Sequence, residues 1–455
     1  MTENNKKQEL LDLTTGNITG NIFRLAWPAV ATMFLETAFA LADAFWVGKL
    51  GAVAMASVIS SQFIIWIIYS LMSIISTGVV AMVARYVGAK DEAKAAYVVR
   101  QALSFSILVA LLLTVVGLVS AKGVFILMGT ESQVVHWGSR YLRITYLAAT
   151  FFFLIDVFGA IFRASGDTKT PMRVVMTAIG FNIILDPFLI FGWGPFPRWG
   201  TDGAALATFL GQGLGALLYI ILIKKGKLRF KMDMKPQLKL DFSILRRIVR
   251  VGIPTSISGI TFSIVYVFIN KITALFGTES IAALGIGNRL ESVSYLTCFG
   301  FSIAAATLVG QNLGAKKPER AAQSAWRTLW MVSSITGIIS IIFLSFPKTI
   351  SSFFISDPRV IEISIDYLRI LAISQIFMGF EIVLEGAFSG AGNTVPPMVV
   401  SLPGSIIRIP LAYLIAISWG VGVNGIWWAI TLTTIVKGIV LALWFRKGKW
   451  KEKEI

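Results

Sequence analysis

Tyr141-Leu142-Arg143-Ile144 returns unchanged as Tyr367-Leu368-Arg369-Ile370, 226 residues later. Further out, Leu25-Ala26-Trp27-Pro28 lines up with Val251-Gly252-Ile253-Pro254, and Val87-Gly88-Ala89-Lys90 with Leu313-Gly314-Ala315-Lys316. Ser165-Gly166-Asp167-Thr168 and Pro171-Met172 recur as Ala391-Gly392-Asn393-Thr394 and Pro397-Met398. Four matches at one spacing mark a duplicated unit rather than chance.

Between these matches the chain is apolar. Of its 455 residues 56% are hydrophobic and 14% charged, with a mean hydropathy of +0.76. Soluble domains carry roughly 25% charge, so a soluble enzyme, a DNA-binding protein and a disordered scaffold are excluded. Residues 50–84, 101–121, 203–223, 251–270, 328–347 and 409–436 contain no Asp, Glu, Lys or Arg. Each reaches the ~20 residues that cross a bilayer. Isolated charges interrupt six further apolar stretches, at 22–47, 144–162, 174–192, 280–309, 370–389 and 396–419. The expected count is twelve spans, which requires a turn at Trp419-Gly420-Val421-Gly422.

The basic residues orient them. Of 41 Lys and Arg, 29 fall in alternate loops and 9 in the opposite ones, a bias that puts both termini in the cytoplasm. The net charge of +17 thus reflects lipid rather than nucleic acid, and no nucleic-acid partner is expected. Six spans per half insert from the same side, so the halves are parallel repeats. The expected fold is an all-α polytopic membrane protein with twelve transmembrane helices in two parallel six-helix bundles. A pseudo-two-fold axis along the membrane normal relates them. Residues 1–223 form the N-terminal lobe, 224–245 a basic cytoplasmic linker that includes Pro236, and 246–455 the C-terminal lobe. Two like bundles around a cavity make alternating-access transport the default function. Residues 1–20 are polar and of mixed charge, without the short apolar core of a removable signal peptide.

One cysteine, Cys298, and one histidine, His136, exclude the usual zinc sites and Cys–His catalytic pairs. No P-loop is present, so ATP is not the direct energy source. No cofactor is expected.

Several motifs resemble the multidrug and toxic compound extrusion (MATE) family, in its prokaryotic DinF-like branch. They are Leu41-Ala42-Asp43-Ala44-Phe45-Trp46-Val47, Ser165-Gly166-Asp167-Thr168, Asn182-Ile183-Ile184-Leu185-Asp186-Pro187 and Gln311-Asn312-Leu313-Gly314-Ala315. The resemblance covers nearly the whole chain. It implies two lobes arranged as a V and a monomeric exporter in a prokaryotic plasma (inner) membrane. The partners it implies are small organic compounds, often cationic, moved against inward H⁺ or Na⁺. Phe39, Gly159 and Glu36 depart from the branch, where tyrosine, asparagine and a neutral polar residue are common.

Charges at bilayer depth cost at least ~2.5–3.5 kcal/mol and are functional candidates by default. Asp43 lies deep in the first span and Asp186 in the fifth. Burial favours the protonated form of a carboxylate, and a second acid nearby reinforces that. Such a pair suits proton coupling. With Asn182, one helical turn before Asp186, and Thr208 of the sixth span, the same oxygens suit Na⁺. Glu36, two turns before Asp43, either extends a proton path or tunes Asp43. Asp156 is equally a structural or a transport residue. Pro28 removes a backbone hydrogen bond from the first helix and predicts a kink. The resemblance implies straight and bent forms of that helix. Arg289, Glu291, Glu381, Glu385 and Arg408 form either a neutralised network or a second site. Lys271 and Lys437 are read as snorkelling from helix ends.

A lipid-linked oligosaccharide flippase of the same superfamily is the nearest alternative, but its pyrophosphate calls for a cationic cavity. A membrane-embedded transferase is the alternative from another class, and needs a histidine or paired acids at an interface beside a large loop.

Overall fold

The computed structural model describes residues 12–232, 237 and 239–455. Pro236 lies outside them. The described residues contain helices and no strands. Ten helices are long and apolar enough to cross a bilayer, and two bent pairs bring the total to twelve. In the first half the spans are Ile18–Gly48, Ala52–Gly88, Glu92–Leu127, the pair Ser132–Leu147 with Ala149–Ala164, Lys169–Phe191 and Thr201–Lys224. In the second they are Phe242–Ala274, Thr278–Gly314, Pro318–Ser345, the pair Pro358–Ala372 with Gln375–Gly390, Val395–Ser418 and Asn424–Arg446.

The duplication reaches into local geometry. The fourth span bends by 47° and the tenth by 54°, at equivalent positions. The limbs that precede the bends, Ser132–Leu147 and Pro358–Ala372, carry Arg140, Arg143, Arg359 and Arg369. Charge interrupts their apolar pattern, so the expected spans 144–162 and 370–389 begin only near the bends. Lys90 and Lys316, which are repeat mates, have φ of 60° and 58° and are the only non-glycine residues with positive φ among those described. Each follows a helix end closed by a six-to-one hydrogen bond. Asp91 N–H donates to the Tyr86 carbonyl at 2.9 Å, and Lys317 N–H to the Asn312 carbonyl at 2.8 Å. Such αL caps satisfy carbonyls that a helix end leaves orphaned. The turn expected between the last two spans is present, with Gly420 at φ 70° and Gly422 at φ 74°.

Contacts divide the chain into two compact units. Unit 1 holds Ala31–Gly252, and unit 2 holds Leu13–Val30 with Ile253–Ile455. The first and seventh helices are therefore each shared, cut just past Pro28 and just before Pro254. In unit 2, Ile22, Leu25 and Ala26 of the first helix are buried in a core with Phe301, Leu308 and Phe388. Lys317 Nζ there donates to the Thr14 carbonyl at 2.9 Å, and Arg320 Nη2 to that of Thr15 at 2.6 Å. In unit 1, the buried Gln101 of the third span holds the segment leading into the seventh helix. Its Nε2 donates to the Lys239 carbonyl at 3.1 Å, and its Oε1 accepts from Asp241 N–H at 2.9 Å. Close backbone approach explains Gly252 here: a Cβ would collide with the carbonyl of Ile74.

Candidate functional site

Unit 1 gathers the first set of candidates. Asp186 is fully buried, and neither carboxylate oxygen has a hydrogen-bond partner. Asp43, half-buried on the first span, has a buried Oδ1 that also lacks a partner. Its charge bears on Asp186, and the buried Tyr141 ring lies within electrostatic reach of both acids. Asn182, one turn before Asp186, donates from Nδ2 to Thr208 Oγ1 at 3.4 Å, while its own Oδ1 is buried and unpartnered. The fifth and sixth spans come close enough for this because Gly211 has no side chain between them. Buried polar groups normally find partners, and an orphaned one costs ~1–3 kcal/mol. Unit 1 holds four such oxygens on Asp43, Asn182 and Asp186.

Glu36, Asp156 and Arg163 form a neighbouring group. Arg163 Nη2 lies 3.8 Å from Asp156 Oδ1, and Glu36 is within electrostatic reach of both. Gly159 makes the room: a Cβ there would meet Arg163 Nη1 at 2.9 Å. Arg163 sits among these acids, one residue beyond the expected span 144–162.

Unit 2 assembles its charges differently. Lys437 Nζ pairs with Glu381 Oε1 at 2.7 Å, with side chains 4% and 12% exposed. Ser401 Oγ donates to Glu385 Oε1 at 2.7 Å and to Glu381 Oε1 at 3.2 Å. Arg408, buried, donates from Nε to Thr433 Oγ1 at 2.9 Å and from Nη2 to Thr434 Oγ1 at 3.2 Å. Tyr367 O–H donates to Asn288 Oδ1 at 3.2 Å and to Glu291 Oε2 at 3.4 Å. Two sequence readings are corrected here. Lys437 does not snorkel, because it is mid-helix in Asn424–Arg446 and buried against Glu381. Arg289 is exposed on the eighth span and stands outside this network, and Lys437 supplies the second cation instead. The repeat offered a signal for Lys437, since its mate Gly211 is also mid-span.

The first helix runs unbroken through Pro28. Among the described residues, no group of three or more His, Cys, Asp or Glu is arranged to hold a metal ion.

Comparison with known proteins agrees with this architecture. The MatE family model matches residues 28–188 and again 254–414, two stretches displaced by the repeat length. A probable multidrug resistance protein, NorM of Thermotoga maritima, is 29% identical over 441 residues, covering 96% of this chain and 94% of that one. A FAD transporter of Shewanella oneidensis is 28% identical over 425 residues, covering 92% of each. In three dimensions the fold matches the outward-facing conformation of a multidrug resistance MATE family transporter with a TM-score of 0.90. That match is 24% identical and covers 97% of this chain and 99% of the other. A MOP superfamily transporter from Pyrococcus furiosus matches with a TM-score of 0.88 at 24% identity, over 98% of this chain and 99% of that one. A twelve-helix membrane fold whose two halves are each matched in register places the chain in the MatE family.

Proposed function

We propose that this MatE-family protein is a multidrug efflux transporter that works as a cation-coupled antiporter. Asp186, assisted by Asp43, carries the coupling ion. The observation behind this reading is the fully buried Asp186 carboxylate with no hydrogen-bond partner. A carboxylate at bilayer depth is strongly disfavoured unless a proton neutralises it or a cation pairs with it. Inward ion movement then loads the acids, and outward cargo movement is the other half of the cycle. Asn182 Oδ1 and Thr208 Oγ1 extend the oxygen set if the ion is Na⁺, whereas the two acids suffice for H⁺. Glu36, Asp156 and Arg163 carry one net negative charge beside this set, which suits cationic cargo. Both termini face the cytoplasm in this scheme, in keeping with the 29-to-9 bias of basic residues. The transporter acts as a monomer in a prokaryotic inner membrane.

The named relatives are transporters, which favours this reading over a membrane transferase. Arg408 and Lys437 are held by Thr433, Thr434 and Glu381, which disfavours a flippase that keeps cations open for pyrophosphate. Dye efflux from proteoliposomes tests the proposal under a pH gradient and, separately, a Na⁺ gradient. Efflux should follow one of the gradients and disappear in Asp43→Asn and Asp186→Asn. Full gradient-driven efflux in both variants would overturn it.

A further inference from the structure

The two units differ where their first helices end. In unit 1, aromatic rings close the space between the first and fifth spans. Trp46 lies 6.0 Å from Phe191 and 6.1 Å from Trp193, and Phe188 lies 6.3 Å from Phe196. The cation there, Lys49, lies over two rings, with Nζ 4.3 Å from the Phe45 ring centroid and 4.7 Å from that of Trp46.

At the repeat positions of unit 2, Lys271 replaces Phe45, Ile272 replaces Trp46, Leu414 replaces Phe188 and Gly422 replaces Phe196. A groove of about 460 Å³ lies there between the seventh and eleventh spans. It falls within the ~300–1,000 Å³ of clefts that hold small ligands. Phe268, Ile272, Pro410 and Leu414 make it apolar, and Lys271 stands at its edge. Leu414–Ser418, on one wall, is π-helical, a backbone form that recurs at functional sites. Lys271 is exposed in the last turn of the seventh helix, near the level of lipid headgroups. Among the described residues, no carboxylate forms an ion pair with it.

An apolar channel along two spans, ending at a lone ammonium, matches the chemistry of one molecule class. Its tail fills the apolar groove, and its phosphate meets the cation. An ammonium and a lipid phosphate pair through charge-assisted hydrogen bonds. A zwitterionic lipid offers the same phosphate but carries its own competing cation. We propose that the groove holds one acyl chain of an anionic phospholipid whose phosphate rests on the Lys271 ammonium.

Native mass spectrometry of the purified full chain tests this with phosphatidylglycerol and phosphatidylcholine added separately. Wild type should retain phosphatidylglycerol preferentially. Lys271→Glu should lower that retention by more than about fivefold, since losing one lysine beside an anionic lipid already costs that much. Lys271→Arg should keep it, and Lys271→Phe, which copies unit 1, should abolish it. Equal retention of both lipids by wild type, or undiminished phosphatidylglycerol on Lys271→Glu, would overturn the proposal. If the Glu variant does not fold, thermal shifts of wild type decide: a rise with phosphatidylglycerol alone supports the site, and equal rises with both lipids refute it.

Discussion

Superimposed by the repeat, units 1 and 2 share a frame but treat charge in opposite ways. Asn182 and Arg408 are repeat mates, and each hydrogen-bonds a threonine on the next span, Thr208 and Thr434, which are mates themselves. Gly211 corresponds to Lys437, Asp43 to Ile269 and Asp186 to Ala412. At Asp43 and Asp186, unit 1 thus keeps carboxylates with buried oxygens that have no hydrogen-bond partner. Unit 2 fills the same places with apolar residues and cations that are already engaged. One scaffold can hold a vacancy for a mobile ion on one side and a permanent ion pair on the other. What separates them is whether the protein supplies the counter-charge itself.

The largest expected effect probes the engaged side. Lys437→Met strands Glu381 in a buried setting and should destabilise the protein by about 3–5 kcal/mol, read as a fall in detergent melting temperature. Wild-type stability in that variant would break the contrast between the units. Next, Asp186→Asn should lower gradient-driven dye efflux about 100-fold, ~2.7 kcal/mol of barrier. Its melting temperature should not fall, because the carboxylate has no partner to lose. A third test addresses the shared helices. Gly252→Ala drives a methyl group into the Ile74 backbone and should cost about 1–3 kcal/mol of stability, again by thermal melting.

The smallest effect compares helix starts. Asp91 caps the third span by accepting from Lys94 N–H at 3.1 Å, whereas its mate Lys317 makes no side-chain cap. Hydrogen bonds from the Lys94 side chain and backbone hold the Asp91 carboxyl below its ordinary range. A lowered folded value means the stabilisation is present above the ordinary carboxylate value and fades as pH falls through the lowered one. Asp91→Ala should therefore melt slightly below wild type at neutral pH, with the difference closing in strong acid.

The sequence made the span count, the duplication and the acids in apolar runs readable, because each leaves a local or periodic mark. Asp43 and Asp186 stand out for that reason. The bends at Ala148 and Ile373 were hidden, since the limbs before them carry arginines and pass for loop. The division of the first and seventh helices was hidden as well. It depends on contacts such as Lys317 with Thr14, some 300 residues apart, which no window of sequence reports. Arg289 and Lys437 exchanged roles for a related reason. Both are charges in apolar stretches, and only side-chain packing reveals that one is exposed while the other meets Glu381.

The shared first helix also constrains how the protein is made. Ile22 and Leu25 leave the ribosome more than 360 residues before Phe388 and Phe445, which share their cluster. Those turns of the first helix must wait in the bilayer, lined with lipid, until the tenth and twelfth spans arrive. A chain halted after its sixth span would leave that stripe bare, open to quality-control proteases or to a stray neighbouring helix.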